Sequence, residues 1–305
     1  MSIGAPLLID TITYVVTVHQ ELYKFLCTAP HAWKDIEGDL VPFGKIRVVQ
    51  KKYSTEMKYY PTKNNLVAEI EVGATKSGSK FFKLTLHAGK FRKGEFERFQ
   101  EHLVALIPDM AYPKLFATAR VSRIDLASDS YSHRNRSFIP FRPYTTCSGV
   151  WHDNQGNPGT VYVGSPSSGL RFRIYDKKRQ MRSKKLVANW STWTRLEAVV
   201  RNPGCTGAEL HLCLKNVFAT LGIAALSTAQ LQSEDASWQK FLQLCLDVGS
   251  PMALSTVTNK ATRALYRLRL NSSAATWWKP ETVWSKLPQA VERIAPAIGT
   301  EASGP

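Results

Sequence analysis

Tyr175 shares one side of an extended segment with two arginines, within residues 160–185, TVYVGSPSSGLRFRIYDKKRQMRSKK. Alternation places Leu170, Phe172 and Ile174 on one side, and Arg171, Arg173 and Tyr175 on the other. The first side is apolar and packs. The second carries a phenolic hydroxyl between two guanidiniums. Downstream come Lys177, Lys178, Arg179, Arg182, Lys184 and Lys185 against one acid, Asp176. A tyrosine in that field of charge suits attack on, or contact with, a phosphodiester. The same pattern also fits an ordinary strand tyrosine followed by a solvated basic face.

Two further strands carry acids. In ARVSRIDLASD, Ile124 and Leu126 oppose Arg123, Asp125 and Asp129; in WTRLEAVVR, Leu196 and Ala198 oppose Arg195 and Glu197. A carboxylate on a mainly apolar strand is costly unless it is paired or metal-bound. One reading pairs each acid with an arginine. The other sets Asp125 and Glu197 on neighbouring strands about 5 Å apart, holding Mg²⁺ or Mn²⁺ through oxygen ligands. Asp129 lies roughly 13 Å along the strand from Asp125, which makes it a ligand of second rank.

These side chains must be held by sheet. Residues 160–176 read as a hairpin turning at Gly164-Ser-Pro-Ser-Ser-Gly169. Strands are expected at 7–17, 45–53, 66–72, 80–87, 120–129 and 193–201, with helices at 18–28 and 95–107. Residues 30–42 and 130–158 read as loops. Beyond Gly204 the pattern turns helical, at 207–222, 234–248, 258–270 and 280–294. The expected fold class is α+β: an antiparallel-sheet catalytic core with flanking helices and a helical C-terminal part. The expected division is a catalytic sheet domain over 1–205 and a helical region over 206–305, packed on the core.

The chain has 305 residues, a net charge of +16 and a pI of about 9.7. That balance favours a polyanionic partner, nucleic acid before membrane. No apolar run reaches the ~18 residues a membrane helix needs, and the N-terminus carries no evident secretory signal. Five scattered cysteines form no CxxC pair, which fits reduced thiols in a cytosol. No His-x-His metal motif and no phosphate-binding GxxxxGK[ST] loop occurs. The tryptophans between Trp238 and Trp284 could stack on bases, but their setting is that of core residues.

The succession RIDLASD, YVGSPSSGLRFRIYDK, TRLEAVVRN resembles the rolling-circle replication initiators of the Rep_trans type, from small plasmids and filamentous phages. The resemblance covers roughly residues 7–202. It departs at the turn, where the usual GSRxS has Pro166 in place of Arg. It implies origin-specific nicking and rejoining through a 5′-phosphotyrosine on Tyr175, with Tyr162 across the hairpin as the rival nucleophile. Arg173 and Arg171 would hold the phosphate backbone, and Asp125, Glu197 and Asp129 would hold Mg²⁺ or Mn²⁺. Arg123, Arg195 and the basic run 177–185 would contact double- and single-stranded origin DNA. The implied setting is the cytoplasm of a bacterial host, with host helicase, host polymerase and a second copy of the chain as further partners. The competing reading is a non-catalytic basic DNA-binding protein that keeps this fold as a scaffold.

Overall fold

The computed structural model describes residues 6–34, 45–49, 53–61, 65–74, 80–152, 154, 156, 158–187 and 190–296. From the N-terminus come β1 (Leu7–Thr17), α1 (Gln20–Lys34), β2 (Lys45–Val49), β3 (Tyr53–Tyr60), β4 (Ala68–Ala74) and β5 (Phe81–Leu86). Next are α2 (Glu95–Leu106), α3 (Tyr112–Thr118), β6 (Arg120–Ser130), β7 (Phe138–Phe141), β8 (Ser148–His152), β9 (Pro158–Val163), β10 (Leu170–Asp176), α4 (Lys177–Ser183) and β11 (Thr194–Arg201). Then follow α5 (Leu210–Cys213), β12 (Gly222–Ala225), α6 (Leu226–Leu231) and α7 (Ala236–Val248). The last are α8 (Ser250–Thr256), α9 (Lys260–Ser272), α10 (Pro280–Trp284) and α11 (Leu287–Glu292). The fold is α+β, and the strand pairs β2–β3, β3–β4, β4–β5, β5–β1, β11–β10, β10–β9 and β9–β8 are antiparallel. No described helix is long and apolar enough to cross a membrane.

The chain divides into two compact units. One gathers Ile9–Asp125, Asn202–Leu214 and Pro288–Pro305. Its strands run in the order β2-β3-β4-β5-β1, with Ile12 opposite Leu86 and Tyr14 opposite Leu84. Ile12, Phe82, Leu84 and Leu86 are fully buried, as alternation requires of a sheet with one packed face. The amphipathic α2 buries Phe99 and Leu103. Tyr14 and Tyr112 share a hydrogen bond of 3.2 Å, and the Tyr112 hydroxyl donates to the Ile294 carbonyl at 2.7 Å.

The other unit gathers Met1–Leu8, Leu126–Arg201 and Lys215–Leu287, and it holds the tyrosine hairpin. Strand order here is β6-β11-β10-β9-β8. Gly164 opens the β9–β10 turn at φ 102, where a Cβ would sit 3.0 Å from the Leu170 carbonyl oxygen. Ser168 Oγ donates to the Ser165 and Leu170 carbonyls at 2.9 and 2.7 Å. β7 and β12 form a small second sheet. Beneath it lies a core of Ile139, Ala224, Trp238, Phe241, Leu242, Tyr266 and Leu270. The Trp238 indole is fully buried and donates to the Ala229 carbonyl at 2.8 Å.

Several expected boundaries move. Residues 130–158 contain β7 and β8, short strands that lack an alternating run long enough to stand out. The strand expected at 45–53 ends at Val49; residues 50–52 lie outside the described residues, and Tyr53 opens β3. α1 continues past Pro30 to Lys34, and the rest of the expected 30–42 loop is outside the described residues. The helix expected at 207–222 is one turn, α5, and Gly222 begins β12, because the apolar positions there fit either period. The expected 280–294 helix is split, since Pro288 falls where a helix can only start. The basic run 177–183 is helical: Asp176 caps α4, accepting from the Arg179 amide at 2.9 Å.

Candidate active site

Register brings the polar side chains of the hairpin together. Across β10 and β11, Arg173 faces Glu197 and Tyr175 faces Arg195. Across β9 and β10, Arg173 faces Tyr162 and Tyr175 faces Thr160. Tyr162, Arg173 and Tyr175 line one cavity of about 350 Å³ with Trp151, His152 and Arg179.

Glu197 is the hub. It is fully buried. Its Oε1 accepts from the Tyr175 hydroxyl at 2.5 Å, and its Oε2 accepts from Arg173 Nε at 2.7 Å. A second Arg173 nitrogen, Nη2, also donates to Oε2. Tyr175 is only 5% exposed. Burial, joined by the negative charge of Glu197, pushes its phenol far above the ordinary value of 10.0. Burial disfavours the Arg173 charge, but Glu197 and then Tyr175 outweigh that, so its pKa is raised. Tyr162 is half-buried, with the Arg171 guanidinium 4.0 Å above its ring centroid.

The other two acids are clamped by arginine. Asp129 takes a bidentate pair from Arg195, Nε to Oδ1 and Nη2 to Oδ2, both at 2.7 Å. Asp125 takes the same pattern from Arg123, also at 2.7 Å twice. Asp125 belongs to a different unit from Asp129 and Glu197. Each candidate carboxylate therefore has a guanidinium against it, whose positive charge opposes a cation at the same oxygens. As arranged, these acids do not fit a cation ligand set. Among the described residues no group of three or more His, Cys, Asp or Glu could hold a metal ion.

The expected DNA contacts sort by exposure. Arg179, Arg182, Lys184 and Lys185 follow β10 on α4 and just beyond it, and all four are exposed. Lys177 reaches Gln180, and Lys178 donates to the Ser191 carbonyl at 2.8 Å. Arg195 departs from the expectation. It is 6% exposed and held by Asp129, so it presents no surface to DNA. Arg123 keeps 41% of its side chain exposed while bound to Asp125. Residues outside the expected set also line the tyrosine's surroundings. Trp151, 70% exposed, shares its cavity, and Arg134 and Arg136 line the next one. Their segment, 130–158, has no alternation, so only its several arginines and aromatics signalled it.

Residues 119–264 match the family model of the replication initiation factors, Rep_trans. It is the family the sequence motifs resemble, and the matched span includes Asp125, Tyr162, Tyr175 and Glu197. Among solved structures, a rolling circle replication initiator protein from Geobacillus stearothermophilus is similar, at 12% identity and a TM-score of 0.40. The alignment covers 81% of this chain and 98% of that one. No curated protein matches the chain.

Proposed function

We propose that this protein is a rolling-circle replication initiator that nicks and rejoins one DNA strand at an origin, with Tyr175 as nucleophile. One observation carries the reading: a tyrosine hydroxyl on a cavity wall donates to a buried carboxylate, with an arginine on the other carboxylate oxygen. In the forward step the Tyr175 oxygen bonds to the phosphorus and its proton passes to Glu197. The bond from phosphorus to the 3′ oxygen breaks, and that oxygen takes a proton from water. A 5′-phosphotyrosine and a free 3′-hydroxyl result. Reversal rejoins the strand, because the phosphotyrosine conserves the ester bond.

Glu197 is a weak base while Arg173 holds it. An incoming phosphate offers Arg173 another anion, with the same bidentate geometry. Once Arg173 turns to the phosphate, Glu197 is a buried carboxylate that has lost the Arg173 charge, and such a group gains affinity for a proton. Substrate binding thus switches on the base. Dependence on Mg²⁺ or Mn²⁺ belongs to the same proposal and requires an arginine to leave its carboxylate first; the steps above use only this chain's own groups.

Two observations support the scaffold reading, in which the protein binds DNA without cutting it: Tyr175 is almost wholly buried, and every candidate acid is already neutralised. Tyr162 is the more exposed of the two tyrosines that line this cavity. The test is incubation with single-stranded and supercoiled origin DNA, with Mg²⁺, Mn²⁺ or a chelator, followed by a denaturing gel. The expected result is a covalent protein–DNA band that Tyr175→Phe abolishes. A band surviving in Tyr175→Phe and lost in Tyr162→Phe moves the nucleophile to Tyr162. Tight binding with no band under any condition leaves the scaffold reading standing.

A further inference from the structure

α9 carries apolar residues on two opposite sides. Tyr266 and Leu270 are buried on one, with the Tyr266 ring against Trp238 and Phe241. On the other, Ala261, Ala264, Leu265 and Leu268 are exposed, at the i, i+3, i+4, i+7 spacing of a single helical stripe. Leu265 is 43% and Leu268 64% exposed. A hydrogen bond of 3.0 Å from Gln232 Nε2 to Ser272 Oγ brings the end of α6 beside the end of α9. Leu231, the last residue of α6, is 88% exposed there. Single surface leucines are ordinary, but a stripe at helical spacing is a packing face without its partner. The charge around it has one sign. α9 holds Lys260, Arg263, Arg267 and Arg269, and the sequence between Asp247 and Glu281 holds no acid. Two of these cations are engaged within the fold: Arg263 Nε donates to the Val257 carbonyl at 2.9 Å, and the Arg269 guanidinium lies 5.4 Å over the Trp238 ring. Lys260 and Arg267 are exposed and make no hydrogen bond or ion pair among the described residues. They stand on one flank of the stripe, two turns or about 10 Å apart.

We propose that this outer face of α9 is a docking surface for an acidic amphipathic helix of a partner protein. The occupant lays its apolar side chains along Ala261, Ala264, Leu265 and Leu268 and sets carboxylates two turns apart against Lys260 and Arg267. Alanine at two of the four stripe positions leaves room for the ridge of a second helix to approach closely. The same alanines offer a bilayer little apolar area. Duplex DNA is met through charged and polar side chains at its phosphates and groove edges, whereas the centre of this face is apolar. A second copy of the chain would bring α9 against α9 and set cations against cations. An acidic helix satisfies both the stripe and its flank. None of these residues lines the tyrosine cavity, so the surface stands independently of the nicking reading.

The test is fluorescence anisotropy with a labelled peptide of about 18 residues, leucine at the i, i+3, i+4, i+7 positions and glutamate elsewhere, beside a scrambled peptide of the same composition. The full chain should bind the amphipathic peptide at least about tenfold more tightly than the scrambled one. Leu265→Ser/Leu268→Ser should remove that preference. Lys260→Gln/Arg267→Gln should weaken binding and flatten its salt dependence. These side chains are exposed, so both variants should melt at the parent's temperature. Ala264→Trp deletes no contact but fills the line of approach, and it should also block the peptide. Equal binding of the two peptides by the parent overturns the proposal, because net charge alone would then account for it. Unchanged affinity in the leucine variant overturns it as well. Three other results would give the face to a different occupant and equally overturn it. In the leucine variant these are a matching loss of duplex DNA affinity, a loss of cosedimentation with phosphatidylglycerol vesicles, or a loss of self-association in sedimentation equilibrium.

Discussion

Asp129→Asn separates an acid kept for structure from one kept for a ligand. Asp129 is 1% exposed and Arg195 6% exposed, and two hydrogen bonds of 2.7 Å join them. The amide keeps the side chain's shape but removes its charge and turns an NH₂ toward a guanidinium that can only donate. Arg195 then loses the carboxylate that holds it bidentately. Solvent reaches too little of it to compensate, so the full cost of breaking a buried pair applies, about 3–5 kcal/mol. Replacing both partners with apolar residues, Asp129→Leu with Arg195→Met, should recover most of that loss, since no charge is left stranded. Urea unfolding of the parent, both single variants and the double variant closes the cycle. A loss below about 1 kcal/mol for Asp129→Asn would refute the pairing as a structural element. It would return Asp129 to the pool of acids free to bind a cation.

Three more outcomes are expected. The Tyr175 phenol is raised above 10.0 in the folded chain, so the neutral form favours folding below that pH and its contribution is lost as pH rises. Above about pH 10 each such tyrosine lowers stability by about 1.4 kcal/mol per pH unit; Tyr175→Phe should lower the alkaline slope by that amount, and an unchanged slope would refute the burial argument. Lys184→Ala/Lys185→Ala should weaken binding to all duplex DNA alike and lower the salt slope by about 0.9 for each phosphate released, whereas identical salt curves would make the pair a solvated face. Gly222→Ala would put a Cβ 2.2 Å from Phe141 Cζ, so thermal unfolding should report about 1–3 kcal/mol of overpacking cost.

Much of the hairpin could be read from residue order. Alternation in LRFRIYD and TRLEAVVR fixes which side chains share a face, and the antiparallel register then sets Arg173 against Glu197. Which arginine serves which acid could not be read that way. Neighbours along a strand suggested Glu197 with Arg195, but Arg195 reaches to Asp129 on β6 and Arg173 takes Glu197 from across the ladder. Pairing across strands depends on strand order, which no local pattern encodes. The basic cavity lined by Arg134 and Arg136 was hidden for a related reason. Its walls come from 134–136, 158–159, 176–182 and 191–194, and no sequence pattern says that these stretches meet. α4 lacked an apolar stripe, so its basic residues read as a run rather than a helix.

The placement of charge explains how a chain of net charge +16 can keep two buried acids, Asp129 and Glu197, in the unit that holds the tyrosine hairpin. A bare carboxylate near the phosphate path would repel the strand. Clamped by an arginine, each acid is electrically silent until something competes for the guanidinium. Asp129 and Arg195 are both buried too deeply for a phosphate to reach, so that pair stays closed. Arg173 differs, because a third of its side chain is exposed, and it lines the cavity while Glu197 behind it has no exposure at all. Of these two pairs, the second has its cation within reach of a ligand and its anion out of reach. On the proposed reading that asymmetry is what matters. The phosphate can take the arginine but not the acid, and the acid left behind already accepts a hydrogen bond from the Tyr175 hydroxyl, whose proton it is placed to take.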